Sequence, residues 1–156
     1  MTRFQKCLTA CLSFFVAGVF VAVPLVGGAQ SGATPTIVLA DQAKYAAAPA
    51  PYPAGAMLAV LSGDPAKAGS QYTVRLKLPD GAKIGAHTHG DIENVSVLSG
   101  TLMVGVGTAF DAAKMLALTP GSYVSIPAGL PHYAMAKGAT VLQINGVGPA
   151  SIKAVQ

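Results

Sequence analysis

The 156-residue sequence contains three histidines, at positions 87, 89 and 132, and a carboxylate, Glu93, stands shortly after the first two. His87 and His89 are two apart, a spacing that on a strand points both rings to one face, as two neighbouring ligands of one metal ion require. Glu93 follows Gly90 and Asp91, where the chain turns, so it can return on a neighbouring strand beside the rings. His132 comes from a distant segment, just behind the stiff corner of Pro127, Gly129 and Pro131. Three imidazoles and a carboxylate fill four positions of an octahedral ion and leave two for water, oxygen or substrate. Such donors suit Mn, Fe, Co, Ni, Cu or Zn, and geometry must choose among them. A His-x-His pair alone is a weak signal, more often solvated than metal-bound. The weight here comes from the absence of histidine elsewhere.

The elements that must position these groups read as short strands. Residues 56–61 are an apolar run closed by Ser62, Gly63, Asp64 and Pro65. Residues 72–78 alternate, with Val74, Leu76 and Leu78 on one face and Arg75 and Lys77 on the other. Further runs at 95–98, 101–106, 114–118, 122–126, 133–135 and 139–144 are each bounded by Gly or Pro. Ser99 and Gly100 fit a tight hairpin, and Pro120 with Gly121 fits a turn. Eight to ten short strands without a long helical pattern predict an all-β antiparallel barrel or sandwich. No repeat of 20 to 50 residues stands out.

The ends have a different composition. Arg3 and Lys6 precede an apolar run from Cys7 to Val26, and small residues follow at Gly27, Gly28 and Ala29. That order is the signature of a signal peptide, residues 1–29, with cleavage after Ala29 and export to the periplasm or medium. The run is also just long enough for an uncleaved membrane anchor; Pro24 and the small-residue exit favour cleavage. Both cysteines, Cys7 and Cys11, leave with this segment, which excludes disulfides and thiol ligands from the exported chain. Residues 30–55, rich in Ala and Pro, read as a linker or surface arm, tied down by a short strand at 37–39. The barrel is expected over 56–148, and 149–156 is a tail. Losing Arg3 and Lys6 leaves eight basic against six acidic residues, a net charge of +2. With no basic run and few aromatics, nucleic acid is excluded as a partner. Once the signal is cleaved, so is a membrane.

The two histidine segments together resemble the cupin superfamily. Gly81, His87, His89, Glu93 and Gly100 stand at every defining position of its first motif, and Gly121, Pro127, Gly129 and His132 match its second. The intervening stretch is similar to that of compact microbial cupins, and the likeness covers about residues 57–146. The resemblance implies a small single-domain jelly-roll barrel of the cupin type-2 kind. It would hold one divalent transition metal on His87, His89, Glu93 and His132. One position departs from the pattern. The asparagine expected four residues after the histidine is Ala136, so with Ala134 this wall is smaller and less polar. The resemblance implies two functions. One is a metal-dependent enzyme of dioxygenase type acting on a small organic substrate, with Glu93 as a ligand able to detach and serve as base. The other is a non-catalytic periplasmic module that binds or senses metal or a small ligand. Candidate pocket residues are Tyr123, Ser125, Met103 and Arg75, with Asp91 at the rim. Open barrel edges and the apolar arm point to a homodimer.

Overall fold

The structure, a computed structural model, describes residue 32 and residues 34–155. Among the described residues, alternating apolar and polar side chains build nine strands. The first five are β1 (Ala46–Ala47), β2 (Met57–Ser62), β3 (Gln71–Leu78), β4 (Lys83–Thr88) and β5 (Glu93–Val106). A single 3-10 turn, Ala112–Lys114, capped by the Asp111 carboxylate on Ala113 N–H, precedes β6 (Leu116–Leu118) and β7 (Tyr123–Ile126). Then come β8 (His132–Val147) and β9 (Lys153–Ala154).

All pairings are antiparallel, in the order β1-β2-β3-β8-β4-β9, with β5 joined to β8 and carrying β6 and β7 on its far edge. β8 is the spine. It lies along β5 from His132 opposite Val106 to Asn145 opposite Asn94. On its other edge, its first residues face β4 and its last eight face β3. Register shifts around Ser99 bend the β5–β8 ribbon, and the sheet curls into a small jelly-roll barrel. The inward faces of β3, β5 and β8 form one core in which Leu76, Leu78, Val97, Leu102, Ala136 and Leu142 are each at most 3% exposed. Each buried leucine or valine contributes on the order of 1.5–3 kcal/mol. The outer face carries polar cross-strand pairs instead, among them Thr73 Oγ1 donating to Asn145 at 2.8 Å.

Three local expectations give way. β5 runs unbroken through Ser99 and Gly100, so there is no hairpin. Gly100 has φ +74°, and a Cβ there would meet the Ala139 carbonyl and Thr140, so it serves as a bend inside one strand. The runs at 133–135 and 139–144 are likewise one strand. Residues 37–39 form no strand, and Ile37 is 72% exposed. The arm is fastened further on, by β1 against Met57 and Leu58 of β2 and by the Lys77 ammonium 3.8 Å over the Tyr45 ring. Residues 48–56 then close a loop, with Ala48 N–H donating to the Ala56 carbonyl at 2.9 Å. The expected signal peptide, residues 1–29, lies outside the described residues. Among the described residues no helix is long and apolar enough to cross a membrane.

Candidate metal centre

The end of β4 carries His87, His89 stands one residue beyond the strand, and β8 begins at His132. His87 and His132 are direct cross-strand partners. Glu93 opens β5 at the far end from Val106, the residue that pairs with His132, so the curl of the barrel brings the carboxylate back across. The three imidazoles bring one nitrogen each to within 4.8 Å of the others. Ring centroids are 4.1 Å apart for His87 and His132, and 4.9 Å for His87 and His89. Glu93 Oε2 stands 3.4 Å from His89 Nε2 and 3.5 Å from His132 Nε2. The second-motif corner is tied to the first by Gly129 N–H, which donates to the His89 carbonyl at 2.9 Å.

The hydrogen bonds on the outer nitrogens fix what the inner ones can do. His87 Nδ1 lies 2.7 Å from the Gly85 carbonyl, His89 Nδ1 2.7 Å from that of Ser151, and His132 Nδ1 3.0 Å from that of Leu130. A carbonyl only accepts, so each Nδ1 holds the proton and each neutral ring turns an Nε2 lone pair inward. The Glu93 carboxylate, also an acceptor, faces two of these lone pairs. While the three rings are neutral no proton is left for the cluster to share, and His89 Nε2 is buried without a hydrogen-bond partner among the described residues. Acceptors converging in this way fit a cation, and backbone carbonyls on the outer nitrogens are the usual second layer behind metal-bound histidines.

The electrostatics follow. Burial holds the His87 pKa down at about 4, with the neighbouring His132 and His89 adding to the effect, so its ring is neutral near pH 7. Burial also acts downward on His132, but hydrogen bonds of the protonated ring to Glu93 and to the Leu130 carbonyl, with the Glu93 charge, outweigh it and leave the pKa raised. Burial acts upward on Glu93, and the three rings more than offset it, holding the carboxyl below its ordinary value.

Two cavities meet at the cluster. The inner one, about 30 Å³, is walled by His87, Glu93, His132 and side chains such as Leu102, Val124 and Ala134. The outer one, about 280 Å³, touches His89 and Glu93 and is otherwise mainly apolar. None of Tyr123, Ser125, Met103 or Arg75 lines either. Strand alternation explains this, because Val124 and Ile126 turn inward and send Tyr123 and Ser125 outward, where both hydroxyls donate to Asn94 Oδ1. Leu102 and Val104 do the same to Met103, and Val74 and Leu76 to Arg75, which bonds Gln143 on the outer face. Asp91 Oδ2 accepts from Val147 N–H at 2.7 Å. A residue that sequence reasoning passed over does line both cavities: Tyr52, carried by the arm. Burial, with the Glu93 charge second, pushes its hydroxyl pKa well up, so the phenol keeps its proton. The one signal for it was an aromatic residue isolated in an Ala/Pro stretch.

Residues 74–144 match the family model described as a cupin domain. No curated protein matches the sequence significantly. Among solved structures, the polyketide cyclase RemF from Streptomyces resistomycificus is similar at TM-score 0.66 and 16% identity, over 79% of this chain and 87% of that one. A candidate acetylacetone dioxygenase from Methylibium petroleiphilum gives TM-score 0.60 and 21% identity, covering 78% and 83%. KdgF from a Halomonas species gives 0.58 and 17%, covering 74% and 96%. At these identities the structural likeness concerns the fold.

Proposed function

This chain belongs to the cupin superfamily, and from that premise we propose that it is an exported, metal-dependent enzyme of dioxygenase type acting on a small, mostly apolar organic substrate. His87, His89, His132 and Glu93 hold one divalent transition metal. The observation that carries the reading is the convergence of three Nε2 lone pairs, each fixed by a carbonyl behind it, against a carboxylate. When bound, such a metal supplies Lewis acidity and, if redox-active, a path for electrons to oxygen.

The residues of the chain do the rest. The carbonyls of Gly85, Leu130 and Ser151 hold the rings in one orientation, and Glu93 offsets part of the cation's charge. Apolar walls keep bulk water from the inner cavity, which strengthens every charge interaction inside it. Tyr52 brings a protonated phenol to the same space. Export rests on residues 1–29 and their order of basic, apolar and small residues.

Metal analysis of protein recovered from the periplasm or medium tests the reading. About one equivalent of Mn, Fe, Co, Ni or Cu is expected, with oxygen consumption on a panel of catechols and keto acids. His132→Ala is expected to lose the metal. Metal-free protein, or a His132→Ala variant with unchanged metal content, overturns it. The near absence of acid–base groups beyond the ligands favours a second reading, a binding or sensing module. Tightly held zinc without turnover would select it.

A further inference from the structure

The inner cavity, at about 30 Å³, has room for one or two waters and none for an organic molecule of more than a few atoms. The outer cavity, at about 280 Å³, stands near the lower end of the usual small-molecule range. It reaches the cluster directly at His89 and Glu93. Three residues wall both spaces: Glu93, Ile144 and Tyr52. The first two belong to barrel strands. Tyr52 does not; it sits on the loop 48–56, with its N–H donating to the Pro49 carbonyl at 3.1 Å, and its ring packs against the barrel core. Part of the outer cavity's wall comes from Ala150 to Ile152, and Ser151 of that segment also orients His89.

We propose that Tyr52 is the specificity-determining residue of the site, a ring that partitions the two cavities so that ligand is held in the outer one and reaches the metal with a terminal oxygen donor. This rests on the metal-centre reading. The ligand class is a small, mostly apolar molecule with one oxygen-bearing end, because Leu58, Val74, Ile144 and Ile152 line the outer space and the cluster meets it at Glu93 and His89. The ring, rather than the hydroxyl, makes the partition.

The test uses the full-length exported protein loaded with Co(II), as wild type, Tyr52→Ala, Tyr52→Phe and, as an outer-face control, Tyr123→Ala. Acetate, benzoate and naphthoate are titrated against the visible cobalt spectrum. Tyr52→Ala is expected to tighten naphthoate by about tenfold relative to acetate, because the merged cavity accepts the second ring. Tyr52→Phe and Tyr123→Ala keep the wild-type order. Equal factors for all three acids in Tyr52→Ala, or a Tyr52→Phe that behaves like Tyr52→Ala, overturn the proposal. If Tyr52→Ala lacks a cooperative melt, Tyr52→Leu takes its place with the same expectation. Cobalt content is measured first. Failure of wild type to take up cobalt counts against the metal reading, and the partition is then judged in metal-free protein by anilinonaphthalene sulfonate fluorescence. There Tyr52→Ala is expected to bind the dye about fivefold more tightly, and affinity equal to wild type overturns the partition.

Discussion

Replacing Gly105 by alanine should be among the most damaging single-methyl changes in this barrel. Gly105 on β5 is directly opposite Tyr133 on β8. A Cβ there would fall on the Tyr133 ring, inside contact distance of Cε2 and Cζ and 2.6 Å from the hydroxyl oxygen. The ring cannot swing away cheaply. It is 1% exposed, its centroid is 5.3 Å from that of Phe110, and its hydroxyl donates to the Asp111 carbonyl at 3.2 Å. Overpacking of this kind costs about 1–3 kcal/mol. Losing the hydrogen bond adds about 1 kcal/mol, and disturbing the aromatic contact adds about 1 kcal/mol more. The expected loss is therefore about 3–5 kcal/mol, a large part of the ~5–15 kcal/mol that holds a domain folded. It corresponds to a melting point lower by roughly 10–20 °C. Urea denaturation of wild type, Gly105→Ala, Tyr133→Leu and the double variant reads the energies. Removing the ring makes room for the methyl, so the double variant should be more stable than the sum of the single losses by at least ~1 kcal/mol. A Gly105→Ala cost under ~0.5 kcal/mol, or strict additivity, would refute the reasoning.

Three further outcomes are expected. Chelation should lower the melting point of the metal-loaded protein, since a ligand of the native state at a hundred times its Kd stabilises by about 2.7 kcal/mol; calorimetry of His132→Ala should show no such fall. In metal-free protein the unfolded His87 takes up a proton below about pH 6.5, whereas the folded ring does so only near its depressed value of about 4. Stability contributed by the neutral ring is thus present above the unfolded pKa and is lost as pH falls through this window, by up to about 3 kcal/mol. His132, with a raised pKa, acts in the opposite sense, losing its contribution as pH rises through the folded value. Urea midpoints at about pH 7 and about pH 4.5 should diverge less in His87→Gln than in wild type, and equal slopes would sink the assignment. Thr140 is 1% exposed and its hydroxyl reaches the carbonyls of Thr101 and Gly138 at 3.2 and 3.0 Å. Thr140→Val should cost about 1–2 kcal/mol by denaturant titration, and a neutral result would show that the bend needs no such donor.

The three histidines that the structure brings together were legible from their spacing and from the motif resemblance together. Two histidines two apart on a strand aim both rings to one face, and the resemblance of both histidine segments to the cupin motifs tied the third, behind its Pro/Gly corner, to them. The alternation in residues 72–78 fixed the inward face of β3 in the same way. What the sequence concealed has physical reasons too. A glycine between two apolar runs is equally suited to a hairpin and to a bend, and Gly100 and Gly138 proved to be bends, so two strands became one at each place. Tyr52 was hidden because Ala and Pro around it carry no periodicity. Its role comes from a loop folding back onto the barrel, a long-range event that local pattern does not encode. The misjudged wall residues Tyr123 and Ser125 were polar candidates near the right place, and the parity of Val124 and Ile126 decides against them.

The rim of the sheet has a consequence for how this chain behaves in a crowd. The outermost strands, β1 and β9, have two residues each, and β6 and β7 have three and four. β1 covers Met57 and Leu58 at one end of β2, and a bulge between Val60 and Ser62 kinks the other. Unpaired backbone is thus broken into lengths too short to template another molecule. β2 itself is a six-residue apolar, uncharged segment, the composition that stacks into cross-β fibrils when bared. The short arm strand covers part of that edge, and a proteolytic nick within the arm is expected to bare it and raise the tendency of the barrel to self-assemble.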